Sequence, residues 1–299
     1  LVEVKESGQS RISVVRDNEV VPLLPCAAHH SGEQPWRGVL LERHEIPSME
    51  LPEHEHRELC LHLQVRGDDQ MQWWSEGRHG VERTFPGSIM VVPPGTRDRT
   101  LWQGASERLI VSVRPQFLED VAASADAKVP EFRSGWSVND AALERILAEM
   151  GREAEEGWPL GRLYADLVAA DLAGVLLRRH AFDPVDLARV RGGLPMPQLR
   201  RVMEFMTANM DRDLHLDEVA RQAGLSPFHF AREFRGVTGQ TPYQYLLDQR
   251  MDRAKRLLKN HAWEVQEIAA MTGFRSPVNF VRAFRQRVGV TPGAWRKQS

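Results

Sequence analysis

Cysteine is scarce in this sequence: Cys26 and Cys60 are the whole complement among 299 residues, with no C-x-x-C pair. That excludes a disulfide framework and fits a reducing compartment. Long hydrophobic runs are also missing. No stretch of about 18 apolar residues occurs, so no membrane span is predicted. The opening LVEVKESGQS has no apolar segment of signal-peptide length, and a cytoplasmic location is expected. Nor is there a phosphate-binding loop, a carboxylate pair or a nucleophile-base pairing, so the chain is not read as an enzyme. Overall charge is nearly absent, at -2.

That near-zero charge conceals a division. Residues 197–299 hold 17 Lys+Arg and 10 Asp+Glu, a balance of +7, while the remaining residues hold 22 and 31, a balance of -9. A basic module joined to an acidic one points to a polyanionic partner for the C-terminal part alone. A content of 42% hydrophobic and 27% charged residues is that of a globular protein, and the length suffices for two domains.

Residues 11–115 read as short strands punctuated by Gly and Pro, clearest at 37–46, 59–67, 71–85, 88–94 and 108–113. Many short strands at this spacing indicate an all-β sandwich or barrel. Helical periodicity replaces them over 115–125, 138–156 and 161–180, with Asn139 or Asp140 as cap of the second segment. The stripe Leu163, Leu167, Ala170, Gly174 and Leu177 is either intramolecular core or a dimer seam. Residues 183–196 carry paired glycines and prolines without a period and read as a linker. The expected domains are therefore 1–182 and 197–299. The second is helical throughout, and Ser226-Pro227, Thr241-Pro242, Ser276-Pro277 and Thr291-Pro292 each place a capping hydroxyl before a helix-opening proline.

The C-terminal domain spells one segment twice. Shifted by 50, HFAREFRGVTGQTP (229–242) falls on NFVRAFRQRVGVTP (279–292), matching Phe230 with Phe280, Arg232 with Arg282, Phe234 with Phe284 and Arg235 with Arg285. Upstream, at a shift of 49, Glu218-Val219-Ala220 meets Glu267-Ile268-Ala269 and Gly224 meets Gly273. Each copy is a helix, a glycine turn and a second helix. Phe230, Phe234 and Val237, and likewise Phe280, Phe284 and Val288, are assigned to the inward face. The outer faces then carry Phe228, Ala231, Arg232 and Arg235, and Val278, Val281, Arg282 and Arg285. Bidentate donors beside small apolar groups suit base edges and thymine methyls. The arrangement is a helix-turn-helix, with 227–237 and 277–288 as recognition helices. A plain helical repeat is the competing reading, but such arrays need three or more units. Arg232 and Arg282 are the best base or phosphate contacts. Arg235 and Arg285 are phosphate clamps or solvated charges, and His229 and Asn279 flank the two faces. Between the copies, residues 242–260 form a rod of somewhat under 30 Å at about 1.5 Å per residue, which sets two recognition helices for major grooves about 34 Å apart.

On LDEVARQAGLSPFHFAREFRGVTGQTPYQYLLDQRMDRAKRLL and VQEIAAMTGFRSPVNFVRAFRQRVGVTPGAW, the sequence resembles the AraC/XylS family of bacterial transcription regulators over roughly 198–296. It departs at Ala294-Trp295, where the family usually has tyrosine, and at Pro277-Val278, where many members are polar. The resemblance implies a cupin-like barrel that senses a small molecule, followed by dimerising helices. As partners it implies double-stranded DNA, an effector, a second copy of the chain and RNA polymerase. In HEHRELC (54–60), His54 and His56 are two apart, so in a strand they would share one face. Metal-binding cupins add a carboxylate and a third histidine, but here those positions hold Cys60 with apolar neighbours, and Arg97-Asp98. Two ligands are too few for a secure site, so no metal and no cofactor is expected. His54, His56, Trp73, Arg97 and Trp102 are instead the candidate effector contacts. The acidic excess of this half favours a neutral or cationic effector. Two alternatives stay open: a metal-dependent cupin enzyme with a DNA-binding tail, and a regulator whose N-terminal domain only dimerises.

Overall fold

In the computed structural model, residues 11–25, 36, 38–187 and 193–298 are described. Cys26, the leading decapeptide and residues 188–192 of the expected linker lie outside them. The chain divides into two compact units, Leu1–Gly157 with Asp171–Arg189, and Trp158–Ala170 with Val190–Ser299.

The first unit is built from strands β1 (Ser13–Arg16), β2 (Glu19–Pro22), β3 (Val39–Ile46), β4 (Met49–His56), β5 (Leu59–Arg66), β6 (Asp69–Ser75), β7 (Arg78–Thr84), β8 (Ile89–Val92), β9 (Arg97–Trp102), β10 (Ser106–Val113) and β11 (Gly135–Val138). They form two antiparallel sheets, ordered β2-β1-β4-β9-β6-β7 and β11-β8-β5-β10-β3. The segment 71–85 is a hairpin, turned at Glu76 and Gly77, both at positive φ, as a tight two-residue loop requires. Strand β4 is hidden in the sequence because three glutamates, two histidines and Pro52 interrupt its alternation. Proline cannot donate to the ladder, and the pairing of β4 with β9 slips between Leu51 and His54.

Alternation in β5 organises this unit. Leu59, Leu61 and Leu63 face one way and Cys60, His62 and Gln64 the other, and all are buried. Cys60 joins Val14, Leu51, Met71, Trp102, Ile110 and Trp136 in a core formed by both sheets. The Trp73 ring on β6 stacks on Trp136 of β11 at 4.8 Å between centroids. The opposite face of the second sheet lies under α2 (Ala141–Glu155), where Gly151 comes close to Leu109. Helix α1 (Pro115–Ala123) precedes it. Asp140, not Asn139, caps α2 by accepting from the backbone N–H groups of Ala142 and Leu143.

Helix α3 (Arg162–Val175), closed by a π-turn over Leu176–His180, contributes residues to both units. The stripe Leu163, Ala170, Gly174 and Leu177 is buried within the single chain, with Leu167 packed against the second unit's core. It is therefore intramolecular core and not a free seam. This also shifts the boundary: residues 158–170, expected with the β domain, group with the C-terminal helices.

The second unit adds α4 (Met196–Ala208), α5 (Leu216–Arg221), α6 (Pro227–Thr238), α7 (Pro242–Leu258), α8 (Val265–Met271), α9 (Pro277–Val288) and α10 (Pro292–Gln298). All four expected capping hydroxyls accept a backbone N–H, and Thr241 does so in a reciprocal box with Gln244. Two helix caps come from elsewhere in the fold. Asp213 Oδ1 accepts from the Arg162 N–H that opens α3, and Asp166 Oδ2 on α3 accepts from the Leu216 N–H that opens α5. Two apolar cores share α7. Its first half (Tyr243, Leu246) packs with Phe230 and Phe234, and its second half (Met251, Ala254, Leu258) with Phe280 and Phe284. Trp295, where the family's tyrosine was missed, closes the second core edge-on to Phe284.

Candidate nucleic-acid interface

Each candidate recognition helix is positioned by two fully buried phenylalanines, each burial stabilising by about 1.5–3 kcal/mol. On α6 these are Phe230 and Phe234; on α9, Phe280 and Phe284. The inward row continues at Thr238 and Val288, four residues on, and not at Val237. Shifted by 50, Val237 falls on Arg287, and it is 46% exposed, so its assignment to the inward face is corrected. Ala231 and Val281 are corrected in the opposite sense. They sit between the two faces and pack against their cores. The outer rows are thus Phe228, Arg232 and Arg235 on α6, and Val278, Arg282 and Arg285 on α9.

These rows are not electrostatically alike. The Arg232 guanidinium donates to Glu233 Oε1 at 2.8 Å and is only partly exposed, and His229 Nε2 lies 3.6 Å from the same carboxylate. Arg235, Arg282 and Arg285 are exposed. Val278, 75% exposed, is an unusually bare apolar side chain at the start of α9. Asn279 is half-buried beside it. Arg287 donates both ways to Asp248 of α7 at 2.6 and 2.7 Å, which fixes α9 against the rod.

A second seam joins the two helix-turn-helix copies, and sequence reasoning missed it. Buried Arg250 of α7 donates to the carbonyls of Met210 and Arg212, each at 2.8 Å. Burial lowers its pKa, and its guanidinium stands over Phe274. Arg275 donates to Asp213 at 2.6 Å. Gly273 (φ +77) passes so close that a Cβ there would meet the Met210 oxygen at 2.3 Å. The segment 210–213 and the turn 273–275 therefore clasp each other around one arginine.

Against known proteins, a helix-turn-helix domain family matches residues 219–298. The regulator GlxA of Rhizobium meliloti (strain 1021) is 38% identical over 112 residues, covering 38% of this chain and 35% of that protein. The transcriptional activator RhaR of Klebsiella pneumoniae is 28% identical over 170 residues, covering 57% and 59%. A solved transcriptional regulator of Chromobacterium violaceum, described by its AraC-type DNA-binding domain, is 30% identical over 34% of this chain and 91% of that chain, with a TM-score of 0.33. In its helix-turn-helix segment, residues 219–298, this chain is of the AraC/XylS type. It spans about a third of GlxA and 59% of RhaR. Its C-terminal unit is the AraC-type DNA-binding domain, and no helix among the described residues is long and apolar enough to cross a membrane.

Outside the matched segment, the chain carries a second cluster of unusual groups between the sheets of its first unit. Glu42, His44, His54, His56, His62, Gln64, Asp98, Thr100 and Arg108 are all buried. Of the five expected effector residues, His54, His56 and Trp102 lie in this interior and Trp73 stacks at its edge. Arg97 does not. As Asp98's neighbour on β9 it points outward, donating to Glu55 at 2.9 Å, and is corrected to a surface ion pair. Arg108 replaces it inside. Its Nε donates to Ser106 and its guanidinium covers Trp102 at 4.8 Å. No carboxylate among the described residues lies within ion-pair distance of it, and burial, opposed in part by the more distant charge of Asp69, lowers its pKa to about 10. Burial followed by the Arg108 charge holds His62 well below the ordinary histidine value, and burial raises the Cys60 thiol. Asp98 comes within 3.1 Å of His56 Nε2, and His56 Nε2 within 3.1 Å of His54 Nε2. The sequence reading stopped at two imidazoles, and the neighbouring strand supplies a third donor.

Proposed function

We propose that the chain is a sequence-specific transcription regulator in which α6 and α9 enter successive major grooves of one duplex, and that a small molecule held between the N-terminal sheets controls this. The carrying observation is the pair of equivalent outer rows, Phe228/Arg232/Arg235 and Val278/Arg282/Arg285, on helices fixed to one shared rod. At 17 residues the rod is about 25 Å long. With the offsets of α6 and α9 this suits the groove repeat of about 34 Å. The reading needs only one chain per pair of half-sites. A homodimer and RNA polymerase remain partners of the same proposal, but a dimer would use a surface other than the α3 stripe. The lone cysteine among the described residues, buried Cys60, fits a cytoplasmic setting.

For the effector, the interior favours a molecule with a negatively charged group. Arg108 is buried without an ion pair, and Nη2 of Arg108, Nδ1 of His62 and Nε1 of Trp102 have no hydrogen-bond partner among the described residues. The acidic excess that suggested a neutral or cationic effector lies in part on the outer surface, as Glu50–Arg99, Glu55–Arg97 and Asp68–Arg83. Effector binding would shift the population of arrangements in which both copies engage DNA.

Selection of bound duplexes from random sequence defines the operator. On that operator, Arg282→Ala costs about 1–3 kcal/mol at the half-site read by α9, and Arg232→Ala costs as much at the other. Affinity falls steeply with salt. Unchanged affinity and sequence preference in both variants refutes the assignment of α6 and α9.

A further inference from the structure

Strand β4 puts His54 and His56 on its inner face, and β9 runs beside it with Asp98 paired to His54. All three side chains are at least 96% buried. The His54 Nδ1–H donates to the Pro52 carbonyl at 2.9 Å, a group available because the ladder slips there. That bond selects the tautomer whose Nε2 is a bare lone pair, and it fixes the ring plane, as outer partners do for metal-ligating histidines. The lone pair faces His56 Nε2 at 3.1 Å and Asp98 Oδ1 at 4.0 Å, and Asp98 Oδ1 is 3.1 Å from His56 Nε2.

Hydrogen bonding satisfies this triangle poorly. With His54 Nε2 bare, the one proton on His56 Nε2 must serve both neighbours. Asp98 Oδ1 in fact receives no well-directed hydrogen bond among the described residues. Three atoms separated by 3.1, 3.1 and 4.0 Å lie on a circle of radius roughly 2.0 Å, which is the length of a bond from imidazole or carboxylate to a first-row divalent ion. We propose that His54, His56 and Asp98 bind one divalent first-row transition ion inside the N-terminal unit. The donors form a T, with positions free on both sides of their plane. Two imidazoles and a carboxylate suit iron, cobalt, nickel or zinc rather than calcium or magnesium. Arg16, one step past the Val15–Glu55 pair, stands opposite His54 with buried Nε and Nη2 unpartnered, so an anion is the favoured further ligand on the ion. This inference is independent of DNA binding.

The test uses the full chain without a histidine tag, stripped with a chelator and titrated with Co2+. One equivalent per chain is expected, with visible absorption bands of a nitrogen- and oxygen-ligated cobalt and a rise in unfolding temperature, since an ion bound only by the folded form stabilises it. Asp98→Asn preserves volume and polarity and should weaken binding at least about 10-fold, as should His56→Gln. Far-UV circular dichroism reports whether each variant folds. Should both unfold, proton spectra of the cobalt-loaded native protein decide, because the His54 Nδ1–H must appear as an exchangeable, strongly shifted resonance. Absence of saturable Co2+ and Zn2+ binding by the folded native chain overturns the proposal. So does binding of unchanged affinity in Asp98→Asn, or a loaded protein with no shifted imidazole signals.

Discussion

Gly273→Ala should damage the protein far more than the same change at Gly224, although the two glycines are equivalent in the repeat. Both have positive φ, +67 at Gly224 and +77 at Gly273, so both substitutions incur the left-handed penalty of roughly 1–2 kcal/mol. Around Gly224 a Cβ meets nothing within 4 Å. At Gly273 it meets a backbone oxygen at 2.3 Å and the Arg250 guanidinium at 2.6 Å. The Met210 carbonyl must retreat by about an ångström, and Arg250 cannot then hold both of its 2.8 Å hydrogen bonds. A hydrogen bond to a charged group contributes about 1.5–3 kcal/mol, so with the backbone penalty the loss of one or both puts Gly273→Ala at about 2.5–8 kcal/mol in all. The measurement is urea unfolding of the full chain and its two variants. In parallel, affinity for the operator should drop in Gly273→Ala toward that of a single half-site, because the two copies are no longer held in one orientation. Equal destabilisation by the two substitutions would refute the seam around Arg250.

Three further expectations can be checked with the same material. Asp166→Ala should cost about 1 kcal/mol, the worth of a helix cap, whereas Asp166→Asn keeps an acceptor for the Leu216 N–H and should cost little. Burial raises the pKa of Asp166, so its contribution is fully present below the ordinary value of 3.8 and is lost as pH rises through the raised value; the Asn variant should remove that part of the pH profile of unfolding. Arg108→Met should leave the effector-free protein as stable or more stable in thermal melts, because it removes a buried charge that has no carboxylate within ion-pair distance, while abolishing stabilisation by anionic effectors.

The C-terminal unit was legible because its signals are local. Serine or threonine before proline, glycine after the last turn, and phenylalanine at i and i+4 each act within a few residues, and each was found where expected. What was illegible there depends on separation: Arg250 reaches carbonyls 40 and 38 residues away, and nothing in its own helix marks it as buried. Even the error at Val237 was one of register, corrected once the repeat itself is used to align Val237 with Arg287. In the N-terminal unit β3, β5, β6, β7, β8 and β10 were recognised, whereas β1, β2, β9 and β11 were not, and β4 was not because histidines take two of its inward positions and Pro52 breaks its pattern. Asp98 could not be distinguished from Arg97 without the pleat, which turns one inward and its neighbour outward.

The two units differ in what their interiors leave unsatisfied, and that difference bears on control. In the DNA-binding unit the buried guanidinium of Arg250 has two carbonyl partners, and fewer buried side-chain atoms, His229 Nε2 and Arg296 Nε among them, are left without a hydrogen bond. Between the β-sheets, by contrast, His62 Nδ1, Gln64 Oε1, Asp98 Oδ1, Thr100 Oγ1, Trp102 Nε1 and Arg108 Nη2 all lack partners among the described residues. A buried polar group left unpaired costs about 1–3 kcal/mol, so six of them rival the whole stability of an ordinary domain, about 5–15 kcal/mol. Apolar side chains at those positions would make a firmer fold. Groups of this kind are explicable when molecules or ions from outside the chain complete them. Binding at such an interior adds directly to the stability of the unit that holds it, which is the thermodynamic requirement for a sensor.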